Sequence, residues 1–291
     1  MMVAEKKPLA PGLYLVATPI GNLEDITLRA LSVLASADRI ACEDTRQTSK
    51  LLSHFGISTP TVSYHDFNEL SRATQLVEQL KQGARIAVVS DAGTPGIADP
   101  GAVLAADAMA AGIAVIPIPG ANAAVNALIA SGLSAEKFAF NGFLPSKEGA
   151  RKTQLEALRA VLVKDESPAT QIFYETPHRI LEALADVIAV FGAEHRVALA
   201  RELTKLHEEF VRGTAGAVLA ELQARPAVRG EMVLLLDGKV AAAAQTAMTL
   251  AAEVAALVAG GASEKDALKQ AAKARGLGKS EAYREWQRTK R

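Results

Sequence analysis

The chain has a single cysteine, Cys42, in 291 residues, so no intramolecular disulfide can form and no multi-cysteine metal cluster can assemble. The remaining His, Asp and Glu residues show no metal-ligand spacing, and the expectation is a protein without a metal. Aromatic residues are scarce, at 4%. No apolar run reaches the roughly 18 residues that cross a bilayer, and the first 11 residues carry lysines without the apolar stretch of a secretory signal. These absences point to a cytoplasmic protein away from membranes. Net charge is absent too, since 32 Lys and Arg balance 32 Asp and Glu. The balance conceals an asymmetry: residues 263–291 hold nine basic residues against four acidic ones, so the rest of the chain carries five excess acids. A basic tail of this kind either binds a polyanion or forms a solvated helix face.

Hydrophobic residues, in contrast, make up 49% of the chain, enough for roughly two cores of about 100 to 200 residues each. Apolar runs of strand length alternate with helical patterns from Leu13 onwards, the signature of an α/β protein with parallel strands and crossover helices. Strands are expected at 13–18, 39–42, 86–90 and 114–118, with helices at 27–37, 48–55, 71–82 and 100–111 and another after Asn122. A composition change near 134–148 suggests a boundary, giving α/β domains at 12–133 and 134–238. In the second, strands at 138–143, 170–174, 197–201, 208–212 and 231–236 and helices at 150–162, 177–191 and 215–223 imply a mixed sheet with an edge hairpin. After an alanine-rich linker, residues 246–291 read as a basic helical extension of helix-turn-helix type, with helices near 246–259, 264–275 and 280–289. Ser263-Glu264-Lys265-Asp266 opens the middle one as a variant capping box.

One loop stands out. After the strand Val88-Val89 comes Ser90-Asp91-Ala92-Gly93-Thr94-Pro95-Gly96-Ile97-Ala98-Asp99-Pro100-Gly101, in which glycines allow close approach and prolines fix the intervening dihedrals. It has neither a Walker lysine nor a GxGxxG run, and Asp91 and Asp99 would repel a phosphate. Carboxylates suit hydroxyls and cations, and S-adenosylmethionine presents ribose hydroxyls, an ammonium and a sulfonium. It is therefore a better candidate than ATP or NAD, against the alternative of an ordinary strand-to-helix turn.

The chain resembles the tetrapyrrole methylase superfamily of S-adenosylmethionine enzymes and, within it, the ribosomal small subunit methyltransferase I family. The resemblance rests on Thr18-Pro19-Ile20-Gly21-Asn22-Leu23, Cys42-Glu43-Asp44-Thr45-Arg46 and the loop 90–101. Further along it rests on Phe173-Tyr174-Glu175-Thr176-Pro177-His178-Arg179, Ala200-Arg201-Glu202-Leu203-Thr204-Lys205 and Gly230-Glu231-Met232-Val233. It spans roughly 12–238, and Pro119-Gly120-Ala121 departs from it where Pro-Gly-Pro is expected. The resemblance implies a homodimer of two-domain, class III type subunits. The implied reaction is 2′-O-methylation of a cytidine ribose in the decoding region of 16S rRNA within the small ribosomal subunit. The donor is expected on Pro19, Gly21, Asp91, Gly93, Ile97 and Asp99, and, by analogy to the family's cleft, on Tyr174, Ala200, Leu203, Gly230 and Met232.

A ribose hydroxyl needs a base, and Glu43, Asp44 and Arg46 are the expected catalytic group, with the base among them left open. By chemistry alone Asp44 and Arg46 read better as a helix cap with an ion pair, and it is the resemblance that favours the catalytic role for the group. His65 and Asn68 form a second polar cluster expected on the substrate side, as are Lys265, Lys269, Lys273, Lys279 and Arg284 of the tail, which could follow RNA phosphates. His178 suits a catalyst by its titration near neutrality but reads better as a structural or substrate-side residue at a helix start behind Thr176 and Pro177, and Trp286 either stacks on a base or, the favoured reading, anchors the tail helices. Two other functions stay open: methylation of a tetrapyrrole or other small metabolite on the same scaffold, and a ligand-sensing helix-turn-helix regulator of DNA.

Overall fold

The computed structural model describes residues 5–65, 69–240, 250–274, 282, 283 and 286. The chain divides into two compact units, Met1–Lys239 and Val240–Arg291. The larger opens with β1 (Gly12–Val16), α1 (Leu28–Ser36), β2 (Arg39–Cys42), α2 (Thr45–His54), β3 (Thr61–Ser63), α3 (Glu69–Lys81), β4 (Arg85–Val89), α4 (Ala102–Ala110), β5 (Val115–Ile118) and α5 (Ala123–Ser131). Its five strands form an all-parallel sheet in the order β3-β2-β4-β1-β5. Parallel strands must be covered on both faces, and the central ones are accordingly apolar apart from Arg39 and Arg85 at the starts of β2 and β4. Leu31, Leu34 and Leu52 from α1 and α2 pack on Val16, Ile40 and Val89 on one side. Leu76, Leu80 and Leu104 from α3 and α4 pack on Leu13, Ile86 and Val88 on the other.

The chain continues through β6 (Phe138–Phe143), α6 (Glu148–Leu162), β7 (Thr170–Glu175), α7 (Ile180–Phe191), β8 (Arg196–Arg201), β9 (Glu209–Thr214), α8 (Ala215–Gln223) and β10 (Met232–Leu236). The second sheet has the order β6-β7-β10-β8-β9. Only β6 and β7 pair in parallel, and β8 and β9 form the antiparallel edge hairpin that the sequence suggested. One face carries α6, α7 and α8 through Leu155, Leu184, Val218 and Leu222. The other face receives α5, whose Ala124, Ala127 and Leu128 pack with Ile172, Ala198, Ala200 and Leu235. A helix that follows the last strand of the first sheet thus covers the second, and this ties the two sheets into one body.

Three local expectations differ from the structure. Helix α2 begins at Thr45 rather than 48, because the Asp44 side chain caps it by accepting from the Arg46 N–H. Helix α7 begins at Ile180, since the segment Thr176-Pro177-His178-Arg179 folds as a turn with the Arg179 and Ile180 N–H groups donating to the Thr176 carbonyl. Strand β3, three residues at the sheet edge, was not anticipated.

In the smaller unit, α9 (Leu250–Ala259) and α10 (Glu264–Ala274) pack through Leu250, Val254, Ala267 and Ala271, with Trp286 against them as the anticipated anchor. The capping box at 263–266 is present: Ser263 Oγ accepts from the Asp266 N–H at 3.2 Å and donates to the Asp266 carboxylate at 2.6 Å. Most of the stretch 280–289, where a third tail helix is expected, lies outside the described residues. Among the described residues no helix is long and apolar enough to cross a membrane, and no group of three or more His, Cys, Asp or Glu could hold a metal ion.

Candidate active site

The loops leaving the carboxyl ends of β1, β2 and β4 converge on one crevice, where open parallel sheets place their ligands. They are tied to one another by backbone and short side chains. Thr18 and Gly93 exchange backbone hydrogen bonds at 2.8 and 3.1 Å, and Ser90 Oγ donates to the Ala92 and Gly93 carbonyls at 3.3 Å. Asp91 accepts from the Asp44 N–H at 3.1 Å, joining the β4 loop to the start of α2. Thr94 Oγ1 donates to the Ala121 carbonyl and accepts from Asn122 Nδ2, which fixes the same loop to the start of α5. Ala98 sits in the loop at φ 60°, a left-handed conformation that costs a non-glycine residue about 1 to 3 kcal/mol and persists because its surroundings impose it. The loop is therefore fastened at several points to the starts of α2 and α5 and to the end of β1.

Between this loop and the second sheet lies a cavity of about 400 Å³. Glu43, Asp91, Gly93, Ile97 and Asp99 line it from the first sheet's loops. Tyr174, Ala200, Leu203 and Met232 line it from the ends of β7, β8 and β10. Nine of the residues picked out from sequence thus meet at one place, though they lie as far apart in the chain as 43 and 232. The anion Glu175 also lines it and was missed, because its segment read as a helix start. Phe143 and Ala123 were missed as well, and no motif marked them.

The charged residues of the lining are Glu43, Asp91, Asp99, Glu175 and Glu231, and no Lys, Arg or His is among them. Burial pushes the Glu175 carboxyl above its ordinary value, opposed by the hydrogen bond from the Thr176 N–H and by the nearby Arg179 charge. The Tyr174 phenol is likewise raised, chiefly by burial and against the lowering influence of the nearby Ala124 backbone. The remaining walls are apolar. Such a cavity favours a cation with hydroxyl groups and disfavours a phosphate.

Other expected site residues lie elsewhere. Asp44 and Arg46 do not line the cavity. The Asp44 carboxylate is occupied by capping α2 and by pairing with Arg46, whose Nη2 is 3.0 Å from Oδ2. That hydrogen bond holds the Asp44 carboxyl below its usual range. Pro19 and Gly21 line a second cavity, of about 540 Å³, next to the first. Gly230 lines neither, and it packs against the Glu202 side chain.

The turn after β8 explains both glycines. Glu202 and Thr204 adopt left-handed φ of 51° and 66°, and Lys205 Nζ is held 2.8 Å from both Glu202 Oε1 and Glu231 Oε2. A Cβ on Gly21 would sit 2.4 Å from Lys205 Cγ, and one on Gly230 would sit 2.3 Å from Glu202 Cγ.

His65 follows β3 and lines neither cavity. Lys265 and Lys269 are exposed on α10, which also contains Lys273. Asn68, Lys279 and Arg284 lie outside the described residues. Cys42 is buried in β2, which raises its thiol pKa and fits a packing role.

The family model described as Tetrapyrrole (Corrin/Porphyrin) Methylases matches residues 12–219. A protein of Halalkalibacterium halodurans called ribosomal RNA small subunit methyltransferase I is 47% identical over 277 residues, covering 93% of each chain. A protein of the same name from Mesorhizobium japonicum is 45% identical, over 96% of this chain and 92% of the relative. Among solved structures, diphthine synthase superposes with a TM-score of 0.59 at 15% identity, over 79% of this chain and 91% of that one. The uroporphyrin-III-C-methyltransferase of Thermus thermophilus gives 0.52 at 20% identity, over 78% and 94%. At such identities the last two establish a shared fold.

Proposed function

Because the chain belongs to the ribosomal RNA small subunit methyltransferase I family and carries a tetrapyrrole methylase domain, we propose that it methylates the ribose 2′-oxygen of a cytidine in the decoding region of 16S rRNA, within the small ribosomal subunit, with S-adenosylmethionine as donor. The observation that carries the donor assignment is the lining of the 400 Å³ cavity, five carboxylates and no cationic side chain. A sulfonium, an ammonium and two ribose hydroxyls match that lining; a nucleoside di- or triphosphate does not.

When bound, the donor supplies an electrophilic methyl group on sulfur. Everything else is the chain's work. Asp91 and Asp99 offer acceptors to hydroxyls or to the ammonium, while Ile97, Ala200, Leu203 and Met232 give apolar walls that exclude water. Holding the acceptor oxygen in line with the methyl carbon lowers the barrier by up to roughly 7 to 11 kcal/mol. Glu43 is the one member of the Glu43, Asp44 and Arg46 group that faces the cavity, and we assign it to take the proton of the acceptor hydroxyl. Asp44 and Arg46 set the position of Glu43 by fixing the start of α2. The tail residues Lys265, Lys269, Lys273, Lys279 and Arg284, with His65 and Asn68, belong to the substrate side of the proposal. Homodimer formation is part of it too, and sedimentation showing only monomer at micromolar concentration would remove that part.

The test is to incubate the protein with radiolabelled S-adenosylmethionine and small ribosomal subunits from cells lacking it, and then to digest the RNA. Label in 2′-O-methylcytidine is the expected result. Label confined to a small-molecule acceptor would replace the RNA reading. Glu43→Gln is expected to lower kcat by about 10² to 10⁴-fold while leaving the dissociation constant of the donor within twofold.

A further inference from the structure

The second cavity, of about 540 Å³, shares Ile20, Asp91, Ala92 and Glu231 with the donor cavity and opens away from it along α2. Its composition is different. Where the donor cavity has no Lys, Arg or His in its lining, this one has Lys50, His54 and Lys205. The two lysines differ in state. Lys205 is held between Glu202 and Glu231, both at 2.8 Å, so its charge is already matched. Lys50 and His54 are exposed and lie one turn apart on α2, with Gln47 on the same face. The contact that Lys50 Nζ makes, with Gln47 Oε1 at 3.2 Å, is to a neutral amide, so its charge is not cancelled there. The cavity is thus polarised, with its carboxylates on the wall shared with the donor site and its uncompensated cation on α2.

We propose that this second cavity seats the acceptor nucleotide, with Lys50 and His54 gripping a backbone phosphate next to the ribose being methylated. The inference rests on the rRNA methyltransferase reading above and adds the place and the contacts through which the RNA enters. In-line transfer requires the acceptor oxygen to approach the methyl carbon from the side opposite sulfur, so an acceptor cavity must open onto the donor cavity, as this one does through its four shared residues. A nucleotide presents a hydroxyl at one end and phosphate at the other. The cavity presents carboxylates at the donor end and, at the far end, the Lys50 ammonium with the His54 imidazole beside it. Lys205 is a positioning residue in this arrangement: it packs over Gly21 and holds Glu231, which belongs to both cavities.

The experiment measures kcat and KM for small subunits from cells lacking the protein, at several salt concentrations, for the full chain and for Lys50→Ala, Lys50→Arg and the double variant Lys50→Ala/His54→Ala. Both side chains are exposed, so the melting temperature should stay unchanged. The expected result is a KM about tenfold or more higher in the double variant, since each lost contact is a charge-assisted hydrogen bond. The donor dissociation constant should stay within twofold, and Lys50→Arg should restore most of the loss. The log–log salt dependence of KM should become shallower by about 0.7 for the Lys50 phosphate contact removed, a change that a merely structural role would not produce. Wild-type KM and wild-type salt slope in the double variant, with the wild-type protein labelling rRNA, would overturn the inference and leave the methyltransferase reading intact. Absence of any rRNA label with the wild-type protein would overturn both.

Discussion

Gly230 illustrates how a residue's chemistry and its geometry can point to different tasks. The Gly230-Glu231-Met232 run marked it for the donor site, and Glu231 and Met232 do line the cavity, but Gly230 itself holds a left-handed φ of 92° with Glu202 stacked against it. Gly230→Ala would place a methyl group 2.3 Å from Glu202 Cγ in a conformation that L-residues avoid. The expected cost is about 1 to 3 kcal/mol of unfolding free energy, read from urea denaturation. Displacing Glu202 would also loosen Lys205, so a weaker donor affinity should accompany the loss of stability. Unchanged stability and affinity would mean that the turn relaxes freely. The same contrast holds at Asp44 and Arg46. From the sequence both roles, proton acceptor and helix cap with ion pair, were open, and the geometry displays the cap and the pair. What made Asp91 and Asp99 legible was the glycine- and proline-rich loop that follows β4, whereas Glu43 and Tyr174 were carried by the family resemblance. What hid Glu175 was that a buried anion next to Thr-Pro reads in sequence as the start of a helix.

Among the elements, the strands and helices of strong periodicity were readable because burial on a sheet or helix face leaves a pattern. Strand β2 and helix α8 occupy the stretches anticipated for them. Strand β3 left no pattern, since three half-buried residues at a sheet edge are too few to alternate. The packing of α5 on the second sheet was equally invisible, because its small apolar residues, Ala124, Ala127 and Leu128, state that it is buried and not against what. The edge hairpin carries a testable device of its own. Glu209 on β9 accepts from Arg201 on β8 at 2.9 Å and from Arg225, just after α8, at 2.7 and 2.8 Å. The Arg225 and Arg201 hydrogen bonds hold its carboxyl at about 2, against an ordinary value of 4.5. A carboxyl depressed in the folded state adds stability that is fully present above pH 4.5 and is lost as the pH falls through 2. Glu209→Gln should therefore lower stability near neutrality and flatten its decline between pH 4.5 and 2, as read from urea midpoints against pH. Parallel declines in the two proteins would show that Glu209 is not the linked group.

At the scale of the whole molecule, zero net charge is the sum of two opposed parts, an acidic α/β body and a tail with nine basic residues against four acidic ones. The separation follows from what each would have to bind. A donor bearing a sulfonium and an ammonium calls for carboxylates, and the lining of the first cavity supplies only those. An RNA calls for lysine and arginine, which would weaken donor binding if they stood in that cavity. Exposed Lys265 and Lys269 on α10 put part of the proposed RNA charge in a different compact unit from the donor site. Lys265→Gln/Lys269→Gln removes two of these charges without touching the Leu250, Val254, Ala267 and Ala271 core. Subunit binding should weaken, and its log–log salt slope should become shallower by about 1.4 to 1.8, the value for two phosphate contacts. The donor dissociation constant should not change, because neither lysine lines the cavity. A wild-type salt slope in this variant would make the α10 face a solvated surface and leave the contacts along α2 as the ones that hold the RNA.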